Sequence, residues 1–189
     1  MPRRAADPSA TLHGVLMRVH GVGVLLTGAS GVGKSELALE LLSRGHRLIA
    51  DDAAEFSIER EKVRGRCPPL LRGFLEARSL GILNIGRLYG RRSLLDSVTL
   101  ELVIALDQAA QHSESGIERL SGRRSQCRIL GTDIEQISIP LRLGHNLAVL
   151  VEAACRDYKL RRAGYRADED MTRRQMSAIR RQTRRRPAP

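Results

Sequence analysis

The apolar positions of this 189-residue chain change period several times, and each change marks an element. "HGVLMRVHG" (13–21) alternates as a strand does, and "VGVLLT" (22–27) is a short apolar run of the kind a buried strand shows. "SELALELL" (35–42) then reads as an amphipathic helix over about residues 33–43, "RGH" (44–46) turns the chain, and "RLIA" (47–50) is strand again. "EFSIER" (55–60) follows, then a turn at Pro68–Pro69 and a short helical piece near "LLRGFLEA" (70–77). "GILNI" (81–85), "SVTLELVIAL" (97–106), "CRIL" (127–130) and "IEQISI" (134–139) read as further strands. Asn146 is placed as a cap that opens a helix through "LAVLVEAACRDYKLRRA", with apolar groups at 147, 150, 151, 154 and 158, and Gly164 closes it. The order predicts an α/β P-loop nucleotide-binding fold, strand-rich compared with a plain doubly wound kinase, and without internal repeats.

The passage between the strand at 22–27 and the helix at 35–42 carries the first chemistry. "GASGVGKS" (28–35) fits G-x-x-x-x-G-K-[ST] through Gly28, Gly33, Lys34 and Ser35, with the strand before and helix after that the motif requires. The loop Gly28, Ala29, Ser30, Gly31, Val32, Gly33 turns backbone N–H groups inward as an anion nest, and the helix N-terminus adds partial positive charge. Lys34 is placed to reach the β- and γ-phosphates of a nucleotide, and the Ser35 hydroxyl to ligate Mg²⁺. A strand–helix–strand unit of this length is right-handed and parallel, so both strands end on the same side. That geometry returns Asp51 and Asp52 to the phosphate loop, where a carboxylate pair can hold Mg²⁺ or accept a proton.

Composition then narrows the classes. The length and 42% apolar content suit one domain of ordinary core size. The net charge of +11 suggests nucleic acid until it is mapped: residues 156–189 hold twelve Lys and Arg against four acids, so +8 sits there and +3 on the remainder. Five aromatic residues and no Trp leave little for base stacking, and the tail reads as a solvated helix with a low-complexity end. Cys67, Cys127 and Cys155 stand far apart without metal-ligand spacing, which suits buried thiols in a reducing compartment. The N-terminus lacks the apolar core of a signal peptide and charges interrupt every apolar run, so a cytoplasmic protein without a membrane partner is expected.

Three stretches in order, residues 13–52, "LEARSLGILNI" (75–85) and "IPLRLGHNLAVLVEAA" (139–154), resemble the catalytic domain of HPr kinase/phosphorylase. The likeness spans about residues 12–165, leaving an extension at 1–11 and a basic tail at 166–189, and implies a short form without a separate N-terminal domain. It implies a fold like that of phosphoenolpyruvate carboxykinase and a hexameric assembly. It also implies ATP- and Mg²⁺-dependent phosphorylation of a serine on the phosphocarrier HPr, reversed by inorganic phosphate with release of pyrophosphate, in the regulation of carbon metabolism and sugar transport. By the same resemblance Asp52 is the proton acceptor of the kinase direction and donor of the reverse one, with Asp51 beside it. His13 matches a catalytic histidine on the strand before the loop, Glu76 a second Mg²⁺ ligand, and Arg119 an arginine that manages phosphate charge. Arg78 follows Glu76 in the same signature, and "PLRLGH" (140–145) matches the stretch needed for dephosphorylation. A raised Asp52 carboxyl pKa, which the reverse direction needs, is expected from like-charge repulsion by the neighbouring Asp51.

The chain departs from the family pattern at Ala29, Ser79, Ile117 and His145. Of these, His145 replaces an arginine and so removes a fixed cation from the dephosphorylation segment. Another P-loop kinase acting on a small molecule would share only residues 22–52, and a basic module regulated by nucleotide would rest on the tail.

Overall fold

In a computed structural model, residues 8–107, 122–141 and 146–185 are described. The elements in chain order are β1 (Ser9–His13), β2 (Val15–Val19), β3 (Val22–Gly28), α1 (Lys34–Ser43), β4 (Arg47–Ala50), β5 (Ala53–Glu59) and β6 (Lys62–Arg66). There follow β7 (Phe74–Ala77), β8 (Gly81–Asn84), α2 (Ile85–Leu88), β9 (Ser97–Thr99), β10 (Leu102–Asp107), β11 (Arg124–Ile129), β12 (Thr132–Pro140), α3 (Leu147–Arg162) and α4 (Ala167–Arg185). A six-stranded sheet has the order β11-β12-β10-β3-β2-β4, a four-stranded sheet β1-β5-β6-β9, and β7 pairs with β8 alone.

Alternation along the central strands builds two cores. Met17, Val24, Leu26 and Ile104 face α1 and α3, meeting Leu37, Leu41, Ala148 and Val151. Leu16, Leu25 and Val103 face the other way and pack on Phe56 and Val63 of the four-stranded sheet. The result is three layers, with helices on one face of the larger sheet and the smaller sheet on the other.

The β3–α1–β4 unit keeps the direction expected of it, although its two strands are not neighbours. β2 lies between the two strands, antiparallel to both, so β3 and β4 still point the same way. Their C-terminal ends therefore bring the glycine loop and Asp51–Asp52 to one edge. β10 runs parallel to β3 and pairs Leu106 with Gly28, adding a third strand end there.

Three sequence expectations are corrected. The run at 13–21 is two strands, because Gly14 at φ 153 carries the chain from the small sheet to the large one, and His13 ends β1 rather than lying on β2. The run at 97–106 also changes sheet: β9 pairs with β6 and β10 with β3, and between them the N–H groups of Leu100 and Glu101 donate to Val63 and Gly23. Residues 70–77 are helical only at their first two positions. A 3₁₀ turn (Pro69–Leu71) stops at Gly73, whose φ of 78 no helix accommodates, and Phe74–Ala77 pairs with β8.

The cap assignments at α3 hold. The Asn146 side chain accepts from the Val149 N–H at 3.1 Å, and Gly164 ends the helix in the left-handed region at φ 91. The face it buries is Ala148, Val151, Cys155 and Tyr158, while Leu150 is partly exposed. In α4 every described side chain from Met171 to Arg181 is exposed, as a solvated helix requires. Among the described residues no helix is long and apolar enough to cross a membrane. Cys67 and Cys155 are buried and Cys127 half-buried, all as free thiols.

Candidate active site

The glycine loop leaves the first turn of α1 open for a ligand. Gly33 is the N-cap residue, held at φ 94, and no side chain caps the helix, so the N–H groups there have no side-chain competitor. Lys34 folds over the loop, its Nζ 3.0 Å from the carbonyl oxygens of both Gly28 and Ala29. Gly31 sits at φ 76, and a Cβ built there would lie 2.6 Å from Nη2 of Arg78. The Arg78 guanidinium is thus laid against the backbone of the loop.

Opposite the loop stand the acids. Asp51 is buried, and its Oδ2 accepts from the Glu76 N–H at 2.8 Å, fastening β7 beside the end of β4. Alternation along β7 sends Leu75 and Ala77 into the core and turns Glu76 outward. Burial pushes the Asp51 carboxyl above its ordinary pKa; the Glu76 N–H opposes this, and the Asp52 charge adds a smaller push. The rise expected of Asp52 through repulsion by its neighbour is found on Asp51, with desolvation rather than repulsion as its first cause.

Asp52 projects from the tight turn after β4, with its backbone in the left-handed region at φ 64. β1 reaches it from the small sheet: His13 pairs with Ala53 across β1 and β5, and the Gly14 N–H donates to the Asp52 carbonyl at 3.2 Å. His13 Nδ1 consequently lies 3.5 Å from Asp52 Oδ1, with both side chains at least 80% exposed. A pair so exposed adds little to stability and is accessible to a hydroxyl arriving from solvent.

Ser30, Gly31, Gly33, Lys34, Ser35, Asp51, Asp52, Glu76 and Arg78 line one cavity of about 220 Å³, which Glu36 also borders. The sequence placed all of these but Glu36 at or beside the site. His13 stands at the rim through Asp52 and does not line the cavity. Gly28 and Ala29 take part through their carbonyls, and Val32 is buried behind the loop. Arg119, Ile117 and residues 142–145, His145 included, lie outside the described residues. The side-chain oxygens of the lining, two hydroxyls (Ser30, Ser35) and four carboxylates (Glu36, Asp51, Asp52, Glu76), are hard donors throughout, which fits Mg²⁺ and does not suit a thiolate- or imidazole-preferring metal.

Fold and site together define an α/β domain of the P-loop kind, with a helix-terminal anion nest, a lysine and an arginine sharing one cavity with four carboxylates. The chain matches the family described as HPr Serine kinase C-terminal domain over residues 5–175. It is 49% identical over 163 residues to an HPr kinase/phosphorylase of Neisseria meningitidis, covering 86% of this chain and 51% of that protein. An HPr kinase/phosphorylase of Nitrosomonas europaea is 46% identical over 177 residues, 93% of this chain and 55% of the relative. Among solved structures, the Hpr(Ser) kinase/phosphatase from Coxiella burnetii aligns with a TM-score of 0.78 at 29% identity, covering 86% of this chain and 98% of that one. The chain belongs to the HPr serine kinase C-terminal domain family, and it spans about half the length of the curated relatives it matches.

Proposed function

We propose that this chain transfers the terminal phosphoryl group of ATP to a serine hydroxyl of the phosphocarrier protein HPr, and that with inorganic phosphate it reverses the transfer, releasing pyrophosphate. The supporting observation is that Lys34, Asp52, Glu76 and Arg78 converge on one cavity at an uncapped helix N-terminus. Phosphoryl transfer asks mainly for positioning and charge neutralisation. Lys34 and the N–H groups of the loop hold the phosphates, and Arg78 lies where it faces the same charge across Gly31. Asp52 orients the serine hydroxyl and takes its proton as the new P–O bond forms and the bond to ADP breaks. His13 stands beside Asp52 and orients that carboxylate.

Ser35 and Glu76, with Asp51 behind them, are the residues that would hold Mg²⁺, which supplies charge neutralisation on the phosphates when bound. In the reverse direction a protonated Asp52 returns its proton to the serine oxygen as phosphate attacks phosphoserine. Assembly into a hexamer belongs to the same reading. Its support is an exposed apolar surface around β7, β8 and α2, where Leu70, Leu80, Ile82 and Leu88 are 59–87% exposed.

The test is incubation of the chain with HPr, γ-labelled ATP and Mg²⁺. Label on HPr that disappears when its acceptor serine is replaced by alanine supports the reading. Label on a small molecule only, or on no acceptor, contradicts it.

A further inference from the structure

A second constellation lies at the opposite end of the large sheet, in the turn between β2 and β3, the turn between α1 and β4, and α3. There His46 Nε2 is 2.8 Å and His20 Nε2 3.6 Å from the same oxygen, Oε1 of Glu152. The three donor atoms all lie within 4.8 Å of one another. In a tetrahedral zinc site with bonds of about 2.0–2.2 Å, donors stand about 3.3–3.5 Å apart. The observed spacing brackets that value, so small side-chain shifts would close the set on one ion.

We propose that His20, His46 and Glu152 form a binding site for a zinc-class divalent cation, with two imidazole nitrogens and one carboxylate as ligands and a fourth position open to water.

Chemistry separates this site from the phosphate cavity. Two nitrogens and one oxygen suit Zn²⁺ or Co²⁺ and suit Mg²⁺ poorly, whereas the all-oxygen set around Ser35 has the opposite preference. The ligands come from three separate elements, so an ion here clamps α3 to two turns of the sheet and α1. His46 is buried and Glu152 is 20% exposed, which limits the competition from water. His20 occupies the left-handed region at φ 47, where glycine or asparagine would sit at less cost. That turn therefore carries an imidazole in place of the easier residues, and the imidazole points at Glu152.

The opposing forces are also visible. Arg156 Nε donates to His20 Nε2 at 3.2 Å, the atom an ion would take, and Arg44 Nη1 lies 3.1 Å from Glu152 Oε2. Lys159 reaches the His20 carbonyl at 3.3 Å. Arg156 and Lys159 are exposed, so both can turn into solvent when an ion enters. Arg44 binds the second carboxylate oxygen and leaves Oε1 to the imidazoles. Removing Arg156 should consequently tighten binding.

The test titrates Co²⁺, and separately Zn²⁺, into the metal-stripped full chain with excess Mg²⁺ present to occupy the oxygen site. The expected result is one Co²⁺ per chain, with a visible absorption band of the intensity of four-coordinate nitrogen ligation, displaced by Zn²⁺. His20→Asn keeps a residue that tolerates the turn and removes one ligand, so it should stay folded, lose the band and bind at least tenfold more weakly. Glu152→Gln should do the same, and Arg156→Ala should bind at least as tightly as the native chain. Absence of stoichiometric binding to the native chain, or an unchanged band in folded His20→Asn, overturns the proposal.

Discussion

Replacing Gly31 with alanine puts a methyl group where the Arg78 guanidinium now lies, 2.6 Å from Nη2 and 3.0 Å from Cζ. The neighbour is the far end of a flexible side chain, so the arginine moves and the clash itself costs little. Two separate effects follow. The backbone at φ 76 penalises any Cβ by about 1–2 kcal/mol, which for a domain of this size lowers Tm by roughly 2–8 °C. Displacing Arg78 removes a charged partner from the phosphates, a contact of about 1.5–3 kcal/mol, or roughly 10- to 150-fold in kcat/KM. The assay is a double-mutant cycle over Gly31→Ala and Arg78→Ala, with thermal unfolding and phosphoryl transfer to HPr measured on all four proteins. In the Arg78→Ala background the Tm loss should persist, whereas Gly31→Ala should cost almost no further activity. Full additivity of the two activity losses, or a Gly31→Ala protein with lowered Tm and native turnover, would refute the role given to Arg78.

Asp52→Asn should stay folded, because the side chain is 80% exposed, and should lose kinase activity; native turnover in the folded variant removes Asp52 as the base. Ser79 stands at φ 74 without a glycine's freedom, so Ser79→Gly should raise unfolding free energy by about 0.5–1 kcal/mol net in a urea titration. Asp51 has a folded pKa raised above its unfolded value of 3.8, so its contribution to stability is greatest below that value and declines as pH rises through the folded pKa. Asp51→Asn should remove that decline and flatten stability as pH rises above the unfolded value of 3.8, because its side-chain oxygen can still accept from the Glu76 N–H, while phosphoryl transfer falls. His145→Arg should strengthen pyrophosphate release from phosphoserine-HPr at pH 7.5 and leave the kinase direction nearly unchanged, since an imidazole gives way to a fixed cation.

Much of this architecture was legible because local signals agreed with the packing. "RLIA" becomes β4 at the expected residues, and Asn146 and Gly164 bound α3 as cap chemistry requires. The failures share a physical cause. A continuous apolar run does not reveal that it leaves one sheet and joins another, which is what happens at Gly14 and between Thr99 and Leu102. Reading residues 70–77 as helix also hid a relation at the site. Once β7 is a strand, residues two apart share a face, so Glu76 and the Arg78 that follows the strand end turn to the same cavity. The signal was present in Gly73 and Gly81, whose positive φ values stop a helix and make a hairpin turn. His20 gave no sequence signal, because its partners at His46 and Glu152 are brought to it only by the fold.

The central claim is that the chain's own glycine loop and carboxylates carry phosphoryl transfer to a protein serine. Intact-mass analysis and phosphosite mapping of HPr after incubation with this chain, ATP and Mg²⁺ test it most directly, with the Lys34→Ala protein run alongside. The expected result is one phosphoryl group on a single HPr serine with the native chain and none with folded Lys34→Ala. Unmodified HPr with the native chain, or equal modification by the Lys34→Ala protein, would contradict it.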